Sequence, residues 1–328
     1  MRVASLCDGI GSAHVAARHV GWNSVASSEI DAACNAIVET SFPSVTNLGD
    51  MTRSDFAADL KSYSPDVLIA STPCQAFSTI GKRRSLGDDR GNLTLALVNI
   101  FHTVFPKWLV WENVPGVLST ADNAFGHLLG GLLGMTGPLE AGSRTWPDVG
   151  IVRRGDISIA WRIIDSQGFV AQRRRRLVLV ASTGGRDPSS VLLETKEDDI
   201  FPGIPVEWLR KHSERSRTLA FDWQASGAGN DKSFMGKSRR WVVRPRGTSG
   251  TLGTTRTDAV LQNGVVRKLS SAESLRLMGF DGDYLTKNAS GKTLTKKELM
   301  RMVGNSVVTH MFKWVFFRIA AAEEDRVR

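Results

Sequence analysis

The 328-residue sequence contains few cysteines and no long uninterrupted apolar run. Its three cysteines, Cys7, Cys34 and Cys74, are widely spaced and odd in number, which excludes a disulfide framework and a cysteine-based zinc site. The longest apolar stretches, near Trp108 and Phe316, are interrupted by charge, so we expect no membrane-spanning segment. The N-terminus lacks a basic region followed by an apolar segment and a cleavage site, and we therefore expect a cytoplasmic protein.

Acidic residues are outnumbered, because 33 Asp and Glu face 42 Lys and Arg and the formal net charge is +9. This excess favours a polyanionic partner, since neutralising phosphates releases counterions. Many basic proteins bind no nucleic acid, so the charge alone leaves the partner open. A content of 41% hydrophobic and 23% charged residues is typical of a globular protein and not of a disordered tail.

The first part of the chain alternates short β-branched runs with helical patterns. The runs predict buried strands at residues 3–6, 24–28, 66–71 and 108–112. Between them, helices are predicted at residues 12–20, 31–40 and 92–105, with Asp31 and Asn92 as N-caps. This alternation indicates an α/β fold with a mostly parallel, doubly wound sheet. Residues 157–164 and 176–181 predict a hairpin at the end of that sheet.

Residues 183–264 differ in character from the rest, because Gly, Ser, Thr and basic residues dominate and periodicity is poor. They predict a second, smaller domain with irregular or strand-rich structure. Regular patterning returns at residues 270–278 and 296–319, so we expect the chain to rejoin the first domain. The first domain is therefore predicted to comprise residues 1–182 and 265–328.

Glycines and acidic residues follow the first predicted strands. Asp8, Gly9 and Gly11 lie where the chain leaves the first strand and enters a helix, where glycine lets the backbone approach a ligand. Glu29 ends the second strand, where a carboxylate can accept hydrogen bonds from ribose hydroxyls, and Asp50 lies near the end of the third. The glycines alone are a weak signal, because tight turns also use glycine for steric reasons. For Glu29 or Asp50 taken alone, a helix cap or a solvated loop acid is the favoured explanation.

Cys74 follows the fourth strand in the segment STPCQAFS, at an edge of the sheet where ligands bind. Pro73 stiffens the turn, and a following helix N-terminus would lower the pKa of the Cys74 thiol. Burial as a structural cysteine is the commoner alternative and suits Cys34, which sits on an apolar helix face. Glu112 ends the next strand, so a thiolate and a carboxylic acid are predicted on adjacent strand ends.

Four arginines, Arg173 to Arg176, run directly into the apolar strand LVLVA. A charge run is usually a solvated face. Strand alternation instead directs Arg174 and Arg176 to one face and Arg173 and Arg175 to the other.

Eight segments in order resemble the successive signature blocks of the DNA (cytosine-5) methyltransferase family, of bacterial or phage type: DGIGSAHVA, SSEID, GDMT, TPCQAFS, WENVPG, QRRRRLVLV, RKLSSAESLRLMGF and GNSVV. The resemblance covers the chain except about residues 134–156 and 183–247. It implies an S-adenosylmethionine-dependent methyltransferase fold (Rossmann-like) with a smaller target-recognition domain at residues 183–264. It also implies methyl transfer to carbon 5 of a flipped-out cytosine in a specific duplex DNA sequence, as in restriction–modification.

By this resemblance Cys74 is the nucleophile that attacks carbon 6, and Glu112 is the acid at N3 of the base. Asn113 helps to hold that carboxylate and the loop before the nucleophile. Arg176 contacts the O2 atom of the cytosine, and Arg174 supports the Glu112 side chain.

The resemblance implies a cofactor site for S-adenosylmethionine with Ile30 and Met51 on either side of the adenine. Its predicted residues are Asp8, Gly9, Ile10, Gly11, Glu29, Ile30, Asp50, Met51, Pro73, Asn305 and Ser306. For the last two, the N-cap of the final helix is the alternative.

Double-stranded DNA is the implied partner of a monomer that has no membrane association. The residues predicted to contact DNA are Gln75, Ser78, Lys82, Arg83, Arg84, Arg90, Arg239, Arg240, Arg244 and Thr251.

Three positions depart from the family pattern, because Cys7 stands where an aromatic is usual, Ser12 where a second glycine is usual and Thr72 where proline is common. Cys7 and Ser12 bear on cofactor affinity. Three other functions stay open: an RNA cytosine methyltransferase on the same scaffold, a DNA-binding module without turnover, and a nicotinamide dehydrogenase suggested by the glycines alone.

Overall fold

A computed structural model of the chain describes residues 1–72, 93–193, 219–221, 249–254, 259–262, 265–285 and 294–327. The chain divides into two units. The first comprises Met1–Ile164, Arg175–Asp199 and Phe312–Arg328, and the second comprises Asp165–Arg174 and Ile200–Met311. The assignment of residues 1–182 and 265–328 to catalysis, and of 183–264 to target recognition, stays a prediction.

The first unit is organised around an eight-stranded sheet. In chain order its strands are β1 (Arg2–Leu6), β2 (Asn23–Ser28), β3 (Thr46–Asn47), β4 (Val67–Ala70), β5 (Trp108–Asn113), β6 (Val149–Arg154), β7 (Ile157–Asp165) and β8 (Arg175–Ser182). Their order across the sheet is β3-β2-β1-β4-β5-β8-β7-β6. Strands β1 to β5 pair in parallel, and β8 runs antiparallel to β5. The order reverses beside β1, so the predicted doubly wound α/β fold is confirmed.

The helices that accompany the parallel strands are α1 (Ser12–His19), α2 (Ala32–Ser41), α3 (Phe56–Ser62), α4 (Leu93–Val104) and α5 (Ala124–Leu132), followed by the short α6 (Ser189–Leu192). Helices α1 to α4 connect the parallel strands, and α5 follows the last of them; all five bury apolar faces. A 3₁₀ turn at Pro115–Ser119 follows β5. The Asp31 carboxylate accepts hydrogen bonds from the amides of Ala33 and Cys34, which confirms the predicted N-cap of α2. Asn92, the other predicted cap, lies outside the described residues.

One sequence expectation about the elements is wrong. The predicted hairpin is present as β7 and β8, but it does not end the sheet, because β6 adds an unpredicted strand beyond β7. The pattern of residues 296–319 is divided between α8 (Lys296–Asn305) and α9 (Thr309–Val327). The break follows from Ser306, which caps α8 in an extended conformation.

The second unit contains a three-stranded antiparallel sheet in the order β11-β10-β9. Its strands are β9 (Leu219–Phe221), β10 (Ala259–Gln262) and β11 (Val265–Lys268). Helix α7 (Ser271–Leu277) follows β11 and begins with a capping box formed by Ser270 and Glu273. A short 3₁₀ turn at Ser166–Gly168 also belongs to this unit. Within the described parts of the chain, no helix is both long and apolar enough to cross a membrane.

Candidate active site

Glu112 and Arg176 form a buried ion pair on adjacent strands. Glu112 lies opposite Val178 in the β5–β8 register, so Arg176, two residues earlier, projects from the same face of β8. The Arg176 Nε lies 2.8 Å from Glu112 Oε1, and Glu112 is only 7% exposed. The pair places a carboxylate at the carboxyl end of β5 with its orientation fixed by a cation.

Arg174 is buried and binds backbone carbonyls of the second unit. Its guanidinium donates to the carbonyl of Leu252 at 3.0 Å and to those of Gly304 and Ser306 at 2.9 Å. The structure therefore gives Arg174 contacts that join the segment at Leu252 to the end of α8. Its sequence-predicted support of Glu112 stays a prediction, as does the contact of Arg176 with the cytosine O2.

The other two arginines of the run are exposed and paired with acids. Arg173 lies 3.7 Å from Asp165, and Arg175 lies 3.0 Å from Asp148. The predicted alternation along the run is confirmed, because Arg174 is buried and Arg176 is partly buried.

Asn113 connects the end of β5 to the residue that follows β4. Its amide nitrogen donates to the carbonyl oxygen of Thr72 at 3.0 Å, and its Oδ1 accepts the amide of Val114 at 2.8 Å. Because β4 and β5 are parallel neighbours, this bond holds the two carboxyl ends together. Thr72 immediately precedes Pro73 in the sequence, so the contact anchors the chain two residues before Cys74.

The turn after β1 is held against the Glu29 side chain. Cys7, Gly9 and Gly11 all have positive φ angles, of 53°, 59° and 83°. The amide of Gly9 donates to Glu29 Oε2 at 2.7 Å, while Oε1 of the same carboxylate accepts the amide of Asp31 at 2.7 Å. Glu29 therefore joins the ends of β1 and β2 and leaves lone pairs on both oxygens for a further donor.

Asn47 is a site residue that the sequence did not reveal. Its Oδ1 accepts the amides of Glu29 at 3.0 Å and Gly49 at 3.1 Å, and its Nδ2 donates to the Glu29 carbonyl at 2.9 Å. These three bonds fix the backbone of Glu29 and the turn that leads to Asp50. The asparagine directly before the segment LGD was the available signal, because Asn side chains often bond to nearby backbone groups in turns.

The third strand leads to the other predicted contacts with adenine. Asp50 is exposed, and its Oδ1 accepts the amide and the hydroxyl of Thr52 at 2.8 and 2.7 Å. Met51 is buried, with its sulfur 3.7 Å from the Cys7 sulfur, whereas Ile30 is 79% exposed. The contact of Ile30 and Met51 with adenine stays a prediction.

Cys7 is unsuited to nucleophilic chemistry. Burial raises the pKa of its thiol to about 12, and the negative charges of Glu29, Asp8 and Asp50 act in the same direction. The thiol is therefore protonated at neutral pH. Cys34 is also buried, as its position on an apolar helix face predicted.

Asp8 points into α1 and away from the surface of the turn. Its Oδ2 lies 2.9 Å from Nε2 of His14, and both side chains are at most 1% exposed. Its backbone accepts the amide of Gly11 at 3.1 Å. The Asp8 side chain therefore contacts His14, and Ile10 is buried. The roles of Asp8 and Ile10 at the cofactor stay predictions.

The residues near the C-terminus take part in other contacts. Asn305 is the last residue of α8 and Ser306 its C-cap, so the alternative that they cap the final helix is wrong. The Thr251 hydroxyl donates to the carbonyl of Arg173 at 2.9 Å. The predicted roles of Asn305 and Ser306 at the cofactor, and of Thr251 at DNA, stay predictions.

Several predicted site residues lie outside the described residues: Pro73, Cys74, Gln75, Ser78, Lys82, Arg83, Arg84, Arg90, Arg239, Arg240 and Arg244.

Comparison with known proteins finds a family model and several methyltransferase relatives that match this chain. The family described as C-5 cytosine-specific DNA methylase matches residues 1–132 and 204–321, which is most of the chain. A protein of Bacillus subtilis named Type II methyltransferase M2.BsuMI is 26% identical over 96% of this chain and 74% of its own length. A protein of Escherichia phage P1 named DNA N-6-adenine-methyltransferase is 40% identical over 58% of this chain, which spans only 30% of that relative.

Among solved structures, the crystal structure of the S. pombe Dnmt2 methyltransferase is similar to this chain. Its TM-score is 0.62 at 18% identity, and the match covers 96% of this chain and 97% of the other. At that identity the likeness concerns the fold alone.

Proposed function

Because the chain belongs to the C-5 cytosine-specific DNA methylase family of DNA (cytosine-5) methyltransferases, which take the methyl group from S-adenosylmethionine, we propose that it methylates a flipped-out cytosine through a covalent bond to Cys74. The buried Glu112–Arg176 pair carries this proposal. Glu112 lies on β5, the parallel neighbour of the strand that leads to Cys74. An acid and a nucleophile from adjacent strand ends are what the reaction requires.

The chemistry explains why both groups are needed. Carbon 5 of cytosine becomes nucleophilic only when the Cys74 thiolate has added to carbon 6 and Glu112 protonates or hydrogen-bonds N3. Arg176 orients Glu112 and, in the proposal, meets the O2 of the base, while Arg174 supports the site. Carbon 5 then accepts the methyl group, its proton is lost, and the Cys74 sulfur leaves carbon 6 by elimination.

The described residues fit S-adenosylmethionine, which supplies an electrophilic methyl group on a sulfonium when bound. The turn at Gly9 and Gly11 allows close backbone approach, since a side chain at Gly9 would meet nothing within 4 Å. Glu29 is proposed to accept the ribose hydroxyls, and Asp50 to accept the adenine amino group. Ile30 and Met51 are proposed to enclose the adenine ring.

Replacing Glu29 by glutamine is expected to weaken cofactor binding at least about tenfold. Both carboxylate oxygens accept backbone amides at 2.7 Å, and glutamine would present an NH₂ group to one of them, leaving a donor unsatisfied. Calorimetric titration with S-adenosylhomocysteine measures the change. Glu39→Gln is the control, because Glu39 is exposed on α2 and accepts one bond from Asn35. An unchanged affinity in Glu29→Gln would remove this residue from the cofactor site.

Duplex DNA is the proposed substrate. The net charge of +9 suits a polyanion. The residues proposed to contact DNA are Gln75, Ser78, Lys82, Arg83, Arg84, Arg90, Arg239, Arg240, Arg244 and Thr251. We propose that the protein acts as a monomer in the cytoplasm of a bacterial cell or a phage-infected host, and that residues 183–264 select the target sequence.

Expression in a bacterial host that lacks its own DNA methylation tests the function directly. The expected result is 5-methylcytosine at one short sequence motif, mapped genome-wide by cytosine conversion. N6-methyladenine is mapped in the same DNA, because the phage P1 relative is named for that modification. Methyl transfer to an amino nitrogen uses the electrons of that nitrogen and needs no thiolate. Modified adenines without modified cytosines, or methyl transfer to transfer RNA in place of duplex DNA, would refute the proposal.

A further inference from the structure

Trp111 and Thr72 form a buried hydrogen bond beside the proposed acid. The indole Nε1 of Trp111 donates to the Thr72 hydroxyl at 2.9 Å, and the two residues are 3% and 2% exposed. Ala70, the last residue of β4, lies opposite Trp111 in the parallel register, so Thr72 extends beyond the end of that strand. A buried indole N–H needs an acceptor, and the threonine hydroxyl is the acceptor that this chain provides.

The two residues next to Glu112 in the sequence, Trp111 and Asn113, both donate a hydrogen bond to Thr72. Trp111 binds its side chain, and Asn113 binds its carbonyl at 3.0 Å. Residues 111 and 113 lie on one face of β5, whereas Glu112 lies on the other and binds Arg176. The same three consecutive residues therefore orient the proposed acid and fix the chain that precedes the proposed nucleophile.

The Trp111 ring is itself fixed by neighbouring aromatic rings. It stacks on Phe125 at 6.3 Å between centroids, and Phe125 packs edge-to-face against Trp146 at 5.5 Å and Trp161 at 5.3 Å. Trp146 and Trp161 belong to the segment that the family match leaves out, between residues 132 and 204. The stacking contact with Phe125 therefore holds the Trp111 indole that reaches Thr72.

We propose that Trp111 and Thr72 are positioning residues that set the place of Cys74 relative to Glu112. The proposal rests on the proposed covalent function, since Cys74 follows Thr72 by two residues. Small displacements of a reacting group lower rates steeply, which makes such a bond consequential.

The test compares Thr72→Val with Thr72→Ser in the full chain. Valine keeps the volume but removes the acceptor, whereas serine keeps the hydroxyl. Duplex DNA with 5-fluorocytosine traps the adduct, because fluorine replaces the proton that elimination requires. With S-adenosylmethionine present, single-turnover adduct formation is expected to slow about 10- to 100-fold in Thr72→Val and less than threefold in Thr72→Ser. Affinity for S-adenosylhomocysteine should stay within twofold in both.

Trp161→Phe is the matched control, and Trp111→Phe the second test. Trp161 donates its indole N–H to the carbonyl of Pro147 at 3.0 Å within the same aromatic group, so its loss removes an equivalent bond that does not reach Thr72. Its adduct rate should stay within twofold even if the melting temperature falls. Trp111→Phe keeps a ring and removes only the donor to Thr72, so it should slow the adduct even if Thr72→Val fails to fold.

Two outcomes would overturn the proposal in distinguishable ways. If wild-type protein methylates cytosine but forms no trapped adduct, the covalent route fails and the positioning role fails with it. If wild-type protein forms the adduct and Thr72→Val forms it equally fast, or Trp161→Phe slows it equally, only the positioning role fails.

Discussion

Replacing Cys74 by alanine is expected to abolish methyl transfer, with a loss of at least roughly 10⁴-fold, because the nucleophile that activates carbon 5 is removed. Binding of S-adenosylhomocysteine should be unchanged, since the carboxylate at Glu29 that is proposed to hold the ribose is untouched. The measurement is tritiated methyl incorporation into duplex DNA, paired with calorimetry for the ligand.

Cys34→Ala is the matched control, because it makes the same change at a buried cysteine of α2. It should lower stability modestly and leave the turnover number intact. The third cysteine cannot replace Cys74 as nucleophile, because burial and three carboxylates raise the pKa of the Cys7 thiol to about 12. Retained activity in Cys74→Ala would remove the covalent mechanism altogether.

The sequence predicted the elements that bury apolar runs. Strands β1, β4 and β5 contain short apolar runs, and β2 contains the buried pair Val25 and Ala26. The predicted positions of all four agree with the structure to within one or two residues. Strand β6 escaped prediction because it lies at the edge of the sheet, where Val149 and Ile151 stay exposed and no strong alternation develops.

The candidate site was predictable where a strand end fixes a side chain, and not where a tertiary contact does. The strand-end rule placed Glu29 and Glu112 correctly at the carboxyl edge of the parallel strands. The partner of Arg174 could not be predicted, because its three carbonyl acceptors come from residues 78 to 132 positions away. The Trp111–Thr72 bond joins residues 39 positions apart, and only the parallel register of β4 and β5 brings them together.

Replacing Glu112 by glutamine is expected to lower turnover by about 10²- to 10⁴-fold, with little change in cofactor affinity. Glutamine keeps the size of the side chain and one acceptor for Arg176 Nε, which now lies 2.8 Å from Glu112 Oε1. It cannot give up a proton to N3 of the base, so addition of the thiolate to carbon 6 loses its driving force. Single-turnover rates on duplex DNA measure this step apart from product release.

Glu323→Gln is the control variant. It removes a carboxylate–arginine ion pair from the other end of β5 and leaves the proposed acid, Glu112, in place. Glu323 pairs with Arg186 and also accepts the indole N–H of Trp108, the first residue of β5, so two carboxylate–arginine pairs hold opposite ends of one strand. Burial raises the pKa of Glu323, but the bonds from Arg186 and Trp108 outweigh it and leave that pKa below its usual value. Its replacement should cost about 1–3 kcal/mol of stability and leave turnover unchanged. If both variants lose turnover equally, Glu112 acts through the stability of β5 and not as the acid.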